Sequence, residues 1–174
     1  MQRKNLIIAA TVLVALIAIV AVTVVSAAGQ GDLGKLRAAT VQYKDVASAE
    51  AAGYTLVDGL DYCFNNPGVG GMGLHYINTA SLDTTVETLK PEAMVYHAGA
   101  DGSLKLGAVE YIVPAGPWDA EGHTSPPSVL GQTFHLNEAL GVYVLHVWLW
   151  RNNPAGIYED WNPQVTCAGI GGPS

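Results

Sequence analysis

Apolar residues along this chain fall into three patterns. From Leu6 to Val25 they dominate twenty positions that carry no charged side chain. From about Lys35 to Gly53 they are spaced loosely among helix-forming residues. From Tyr54 onwards they come in short runs, broken by clusters of glycine, proline and polar residues. The densest of these runs is Val142–Arg151, V-Y-V-L-H-V-W-L-W-R. It is too short to span a bilayer and rich in β-branched and aromatic side chains, which predicts a central β-strand. Successive side chains of a strand point to opposite faces. One face then carries Val142, Val144, His146, Trp148 and Trp150, and the other Tyr143, Leu145, Val147, Leu149 and Arg151.

The remaining pattern predicts smaller elements. Gly29–Gly34 reads as a flexible leader, and Lys35–Tyr43 contains helix formers and no breaker. Asp45 can cap a helix over Val46–Ala52 that Gly53 ends in the left-handed conformation. Tyr54–Leu60 reads as a strand, and Asn65–Gly73 as a glycine-rich loop leading into Leu74-His75-Tyr76-Ile77. Without β-carbons that loop can lie close to a ligand or to another segment of the chain. Its spacing is not that of a phosphate-binding loop, which excludes nucleotide binding. Glu92–His97 and Leu104–Val113 flank an Asp-Gly turn and predict a hairpin. Its second strand places Leu104, Leu106, Ala108, Glu110 and Ile112 on one face. Pro114–Pro127 reads as a loop and Val129–His135 as a short strand. These elements predict one mainly β domain over residues 29–174. Its antiparallel strands would curl into a small barrel or sandwich behind an N-terminal helical segment, with an α+β label also open.

Charge changes the picture at the N-terminus. Arg3 and Lys4 precede the uncharged run, and Ser26-Ala27-Ala28 follows it with small residues. This is the layout of an export signal over residues 1–28, or of an uncleaved membrane anchor. Both place the rest of the chain outside the cytoplasm, touching a membrane only through that segment. Without Arg3 and Lys4, six basic side chains face fifteen acidic ones, a net charge of −9. None of the basic residues cluster, so nucleic acid and anionic lipid are excluded as partners. In an exported chain the cysteine pair, Cys63 and Cys167, predicts a disulfide.

Candidate chemistry rests on His75, Glu110 and His146. Each falls in a predicted strand, and the last two lie on faces that otherwise read as core. Two imidazoles and one carboxylate form a common ligand set for a divalent transition metal: zinc, iron, manganese or copper. Bound there, a metal would polarise a substrate oxygen or activate water or dioxygen. Tyr76 and Arg151 are the candidates to orient the ligands. His97, His123 and His135 lie near turns or in a proline-rich loop and read as ordinary surface histidines, with His97 or His135 able to complete a site if the barrel brings it close. The loop serines lack a nucleophile elbow, and the cysteines are committed to the bridge. A second reading, from the tryptophans and long loops, is a non-catalytic envelope protein that binds an apolar small molecule or a protein partner.

Several blocks carry a resemblance. Gly71-Met72-Gly73-Leu74-His75-Tyr76, Val109-Glu110-Tyr111 and Leu145–Pro154 are joined by Tyr43–Val46, Ala51–Tyr54 and Trp161–Cys167. Together they resemble an uncharacterised family of exported bacterial proteins over most of the chain after residue 28. The resemblance implies that His75, Glu110 and His146 lie within signature blocks and that His97, His123 and His135 lie outside them. It implies no activity, substrate or cofactor.

Overall fold

A computed structural model describes residues 30–170. The export segment predicted over residues 1–28 lies outside them. Helix α1 covers residues 30–40 and runs on through a 3-10 turn, Val41–Lys44, into helix α2, Val46–Ala51. The helix thus begins inside the predicted leader. Gly53 ends α2 at φ +93°, as expected of a left-handed cap. Asp45 precedes α2 but makes no side-chain bond to its backbone; its carboxylate accepts from the Ser48 hydroxyl instead.

The remaining chain is mostly antiparallel sheet. Its strands are β1 (Phe64–Asn66), β2 (Gly70–Ile77), β3 (Ala93–Ala98), β4 (Leu104–Pro114), β5 (Ser128–Val129), β6 (Gln132–Thr133), β7 (His135–Asn137) and β8 (Val142–Val147). Six of them form one curled sheet, a half-barrel in the order β1-β2-β3-β4-β8-β7, while β5 and β6 form a small separate hairpin. A short helix α3, Ala115–Ala120, occupies part of the predicted proline loop. The predicted strand over Tyr54–Leu60 is reduced to a single bridge from Thr55 to Ile77. The predicted strand Val129–His135 is instead divided among β5, β6 and β7.

Both faces of the sheet are covered. Leu36 of α1 and Ala49 of α2 pack with Met94, Tyr96, Val109, Tyr111, Leu145 and Val147 in the main core. Burying each large side chain of this kind contributes roughly 1.5–3 kcal/mol. The opposite face carries Ile77, Ala93, Ile112 and Val144, then Val95, Ala108 and Trp148. The C-terminal segment folds over part of it. Trp148 donates its backbone N–H to Ile157 and its indole N–H to Glu159, and Asn162 pairs with Gly71.

Two irregularities decide which side chains reach that second face. Strand β8 ends at Val147, so the alternation expected through Arg151 stops early. Trp150 packs with the main core, where Arg37 and Lys44 lie over its ring. In β4, the register shifts so that Val95 faces Ala108 while Tyr96 faces Leu106, leaving Gly107 as an extra residue. Leu104 and Leu106 therefore pack with the main core instead of sharing a face with Glu110. A β-carbon on Gly107 would lie 3.0 Å from His97 and 3.2 Å from Trp148.

The glycine-rich stretch serves close backbone approach. A β-carbon on Gly70 would lie 2.3 Å from the Asn162 carbonyl oxygen, and one on Gly73 the same distance from that of Tyr96. Both have φ in the left-handed half, +150° and +116°. What crosses the glycines is chain: the C-terminal segment on one side and β3 on the other.

Glu92, beside β3, is a buried carboxylate of the sheet. It accepts a hydrogen bond from the Ile112 backbone N–H at 2.9 Å. Burial pushes its pKa from 4.5 to about 7 against that bond, with Asp83 and Glu110 adding repulsion. The folded state thus holds a proton that the unfolded chain releases. The stability from this group is complete below pH 4.5 and is lost as pH rises through about 7. Glu92→Gln keeps the acceptor and removes the titration. The variant should gain on the wild type between pH 5 and pH 8, by at most about 3 kcal/mol. Melting temperatures at the two pH values check this; an unchanged difference between the proteins contradicts it.

Candidate metal centre

Strands β4 and β8 pair antiparallel with Glu110 directly opposite His146. Opposed residues of a pair point to the same face, so the carboxylate and the imidazole meet as neighbours. His75 comes from β2, two strands away from Glu110. That is roughly 9–10 Å of sheet. The intervening strand sets Ala93 opposite both Glu110 and Ile77. A methyl group there leaves room for the longer side chains to converge across it.

They do converge. His75 Nε2 lies 3.2 Å from His146 Nε2 and 3.5 Å from Glu110 Oε2, while His146 Nδ1 lies 3.3 Å from Glu110 Oε1. One donor atom from each of the three residues falls within 4.8 Å of the others. All three residues are buried, none more than 6% exposed. The Phe64 ring meets His75 edge-on with centroids 5.1 Å apart. The disulfide predicted from the cysteine pair is present, and it joins Cys63, next to Phe64, to Cys167.

Burial drives the His75 pKa down to about 3, helped by the neighbouring His146, so His75 is neutral. Burial also works against charge on His146, but the Glu110 and Asp160 carboxylates outweigh it and raise that imidazole. Burial raises Glu110 in turn, with His146 pulling the other way. The group therefore holds one neutral imidazole, ready to use its lone pair, and a second imidazole flanked by carboxylates.

Asp160 is the residue that the sequence did not reveal. Its Oδ1 lies 3.4 Å from His146 Nδ1, and its Oδ2 lies 3.0 Å from His135 Nε2. His135, read as an ordinary surface histidine, is thus linked through Asp160 to the buried group. Asp160 sits in an irregular segment after Tyr158-Glu159, where nothing in the spacing marks it.

Three polar atoms of this group are buried without an aligned hydrogen bond: His75 Nδ1, His146 Nδ1 and Asp160 Oδ1. Buried polar atoms normally find partners, and each one left over has a cost or a role.

Tyr76 and Arg151 do not reach the triad. Tyr76 follows His75 on β2 and so points to the other face, where its ring packs on Tyr96 at 5.1 Å. Arg151 lies past the end of β8; it donates to the Gln164 carbonyl and contributes to the field at His97. His97 and His123 stand apart too, and His97 is buried, against its reading as a surface histidine. His97 Nδ1 bonds the Ala98 carbonyl oxygen, and His123 stacks on Trp118 in an exposed loop. Among the described residues no other group of histidines, cysteines and carboxylates has metal-site spacing, and no helix is long and apolar enough to cross a membrane.

No protein-family model, curated protein or solved structure matches the chain. The chemistry of the site rests on its own residues.

Proposed function

We propose that this is an exported metal-binding protein whose ligands are His75 Nε2, His146 Nε2 and Glu110 Oε2. The carrying observation is the spacing of these donors, with His75 Nε2 at 3.2 and 3.5 Å from its two partners. Bonds of about 2.0–2.2 Å that meet at a near-tetrahedral angle need donors roughly 3.3–3.6 Å apart. The donor set suits zinc, iron, manganese or copper, and three protein ligands leave a position open for water or a substrate oxygen. Asp160 and His135 support the reading. A carboxylate on the far nitrogen of a ligand histidine orients the ring and strengthens it as a donor. Bound there, a divalent metal supplies Lewis-acid activation of whatever oxygen occupies the open position.

The disulfide is the bond of an oxidising compartment, which agrees with export by the N-terminal segment, either cleaved or kept as an anchor. Membership in the exported bacterial family that the sequence blocks resemble fits the same setting.

Elemental analysis of the domain, purified from its native compartment without a histidine tag, tests the site. One equivalent of a single transition metal is expected, and none in a His75→Ala/His146→Ala double variant. A variant that keeps a full equivalent, or a folded wild type that takes up no metal, would overturn the proposal.

A further inference from the structure

A cavity of about 290 Å³ adjoins the triad. Its walls are apolar: Leu60, Phe64, Leu82, Ile112, Leu140 and Val144. Its polar lining is concentrated where His75, Glu110, His146 and Asp160 meet, with His135 beside them. No lysine or arginine lines it. Two features of this lining ask for an explanation. The cavity is a cleft partly open to solvent, and a mostly apolar cleft with a few convergent polar groups is the usual form of a small-molecule site. And the carboxylates at its polar end are faced by histidines alone, with no lysine or arginine among the lining residues.

Size and polarity together describe an occupant. At roughly 30 Å³ of liquid volume per water-sized group, the cavity holds about ten such groups. The apolar walls suit a hydrocarbon body. The polar end offers no lysine or arginine to a free anion, and its histidines already face Glu110 and Asp160, so a metal held by the triad is the strong partner for an oxygen head group. We infer that the cavity binds a small amphiphile, a body of about eight carbons ending in one carboxylate, whose oxygen takes the open position of the metal held by His75, Glu110 and His146. This inference rests on the metal-site reading proposed above. It adds the ligand class, and the chain length is set by the cavity instead of by the metal.

The test uses the disulfide-bonded protein, first assayed for zinc content after loading and then titrated calorimetrically with straight-chain carboxylates from butanoate to dodecanoate. One site is expected. Affinity should rise about three- to four-fold per added methylene, the factor that corresponds to roughly 0.8 kcal/mol of transfer free energy. The rise should stop near octanoate, where the cavity is full. Metal-free protein should bind the same series at least ten-fold more weakly. Val142→Phe narrows the cavity four residues from His146 along β8, and should move the break to a shorter chain while zinc stays at one equivalent. A protein that holds one equivalent of zinc but binds no carboxylate, or binds all chain lengths alike, would overturn this inference and leave the metal site standing. A folded protein that takes no zinc or other transition metal would overturn both.

Discussion

Loss of the Cys63–Cys167 bridge should lower the melting temperature by roughly 10–20 °C. The bridge joins residues 104 positions apart. In the chain-entropy model, closing a loop of that length removes about 4.7 kcal/mol of freedom from the unfolded state. Each kcal/mol is worth about 2–4 °C in a domain of roughly 150 residues. The folded state gives the bridge a second role. Cys63 precedes Phe64, whose ring lies edge-on to His75, and Cys167 holds down the segment whose Asn162 pairs with Gly71. Without the bridge, β1 and the C-terminal segment are free to part from β2, and with them the wall beside His75. A Cys63→Ala/Cys167→Ala variant should therefore melt early and also bind metal more weakly. Thermal unfolding of the variant, and of the wild type with and without reductant, measures the first effect; metal titration measures the second. A melting temperature within about 3 °C of the oxidised wild type would mean that the packing of the half-barrel alone holds these segments.

The disulfide and the triad were legible because each rests on a strong local signal. A cysteine pair in an exported chain has few other uses. A histidine or glutamate amid alternating apolar residues stands out by the period of a strand, and this marked His146 and Glu110 before any pairing was known. That Glu110 would face His146 directly was not visible, since register depends on the whole sheet. The misreadings have physical reasons. Tyr76 follows His75 on one strand, and the alternation of a strand already sends Tyr76 to the other face. Arg151 falls on the face opposite His146 in the strand alternation, and it lies beyond β8, which stops at Val147, where Trp148 turns its N–H to Ile157. Leu104 and Leu106 changed faces at the bulge around Gly107, and a lone glycine within a strand pattern is the signal for such a bulge. Asp160 offered no comparable signal. It reaches the site from an irregular segment, and only the long-range fold of the C-terminus brings it to His146 and His135.

Glu110→Gln should remove most of the stabilisation that metal gives this protein while costing the metal-free protein little. Glu110 is buried, and burial already pushes its carboxyl upward, so the charge is not an asset to the empty fold. Glutamine has nearly the same shape, and His146 Nδ1, 3.3 Å from the carboxylate, makes no aligned hydrogen bond that the substitution would break. The metal-free variant should lie within about 1.5 kcal/mol of the wild type, the usual range for one hydrogen bond. With metal the two diverge. A ligand that binds only the folded state stabilises it by about 4.1 kcal/mol at a thousand times its Kd, roughly 8–16 °C here. Glutamine removes the one anionic ligand, so the same metal concentration should move the variant by only a few degrees. Melting curves of both proteins with and without zinc decide the matter. An equal rise in both would place the metal elsewhere. A variant that fails to fold even without metal, beside a wild type that never binds any, would make Glu110 a partner for His146 in the core and favour an apolar-ligand protein. The metal-free comparison therefore carries as much weight as the metal-bound one. A ligand residue and a core ion-pair partner both lose function on substitution, but only the second costs the empty fold several kcal/mol by leaving a buried charge unpaired.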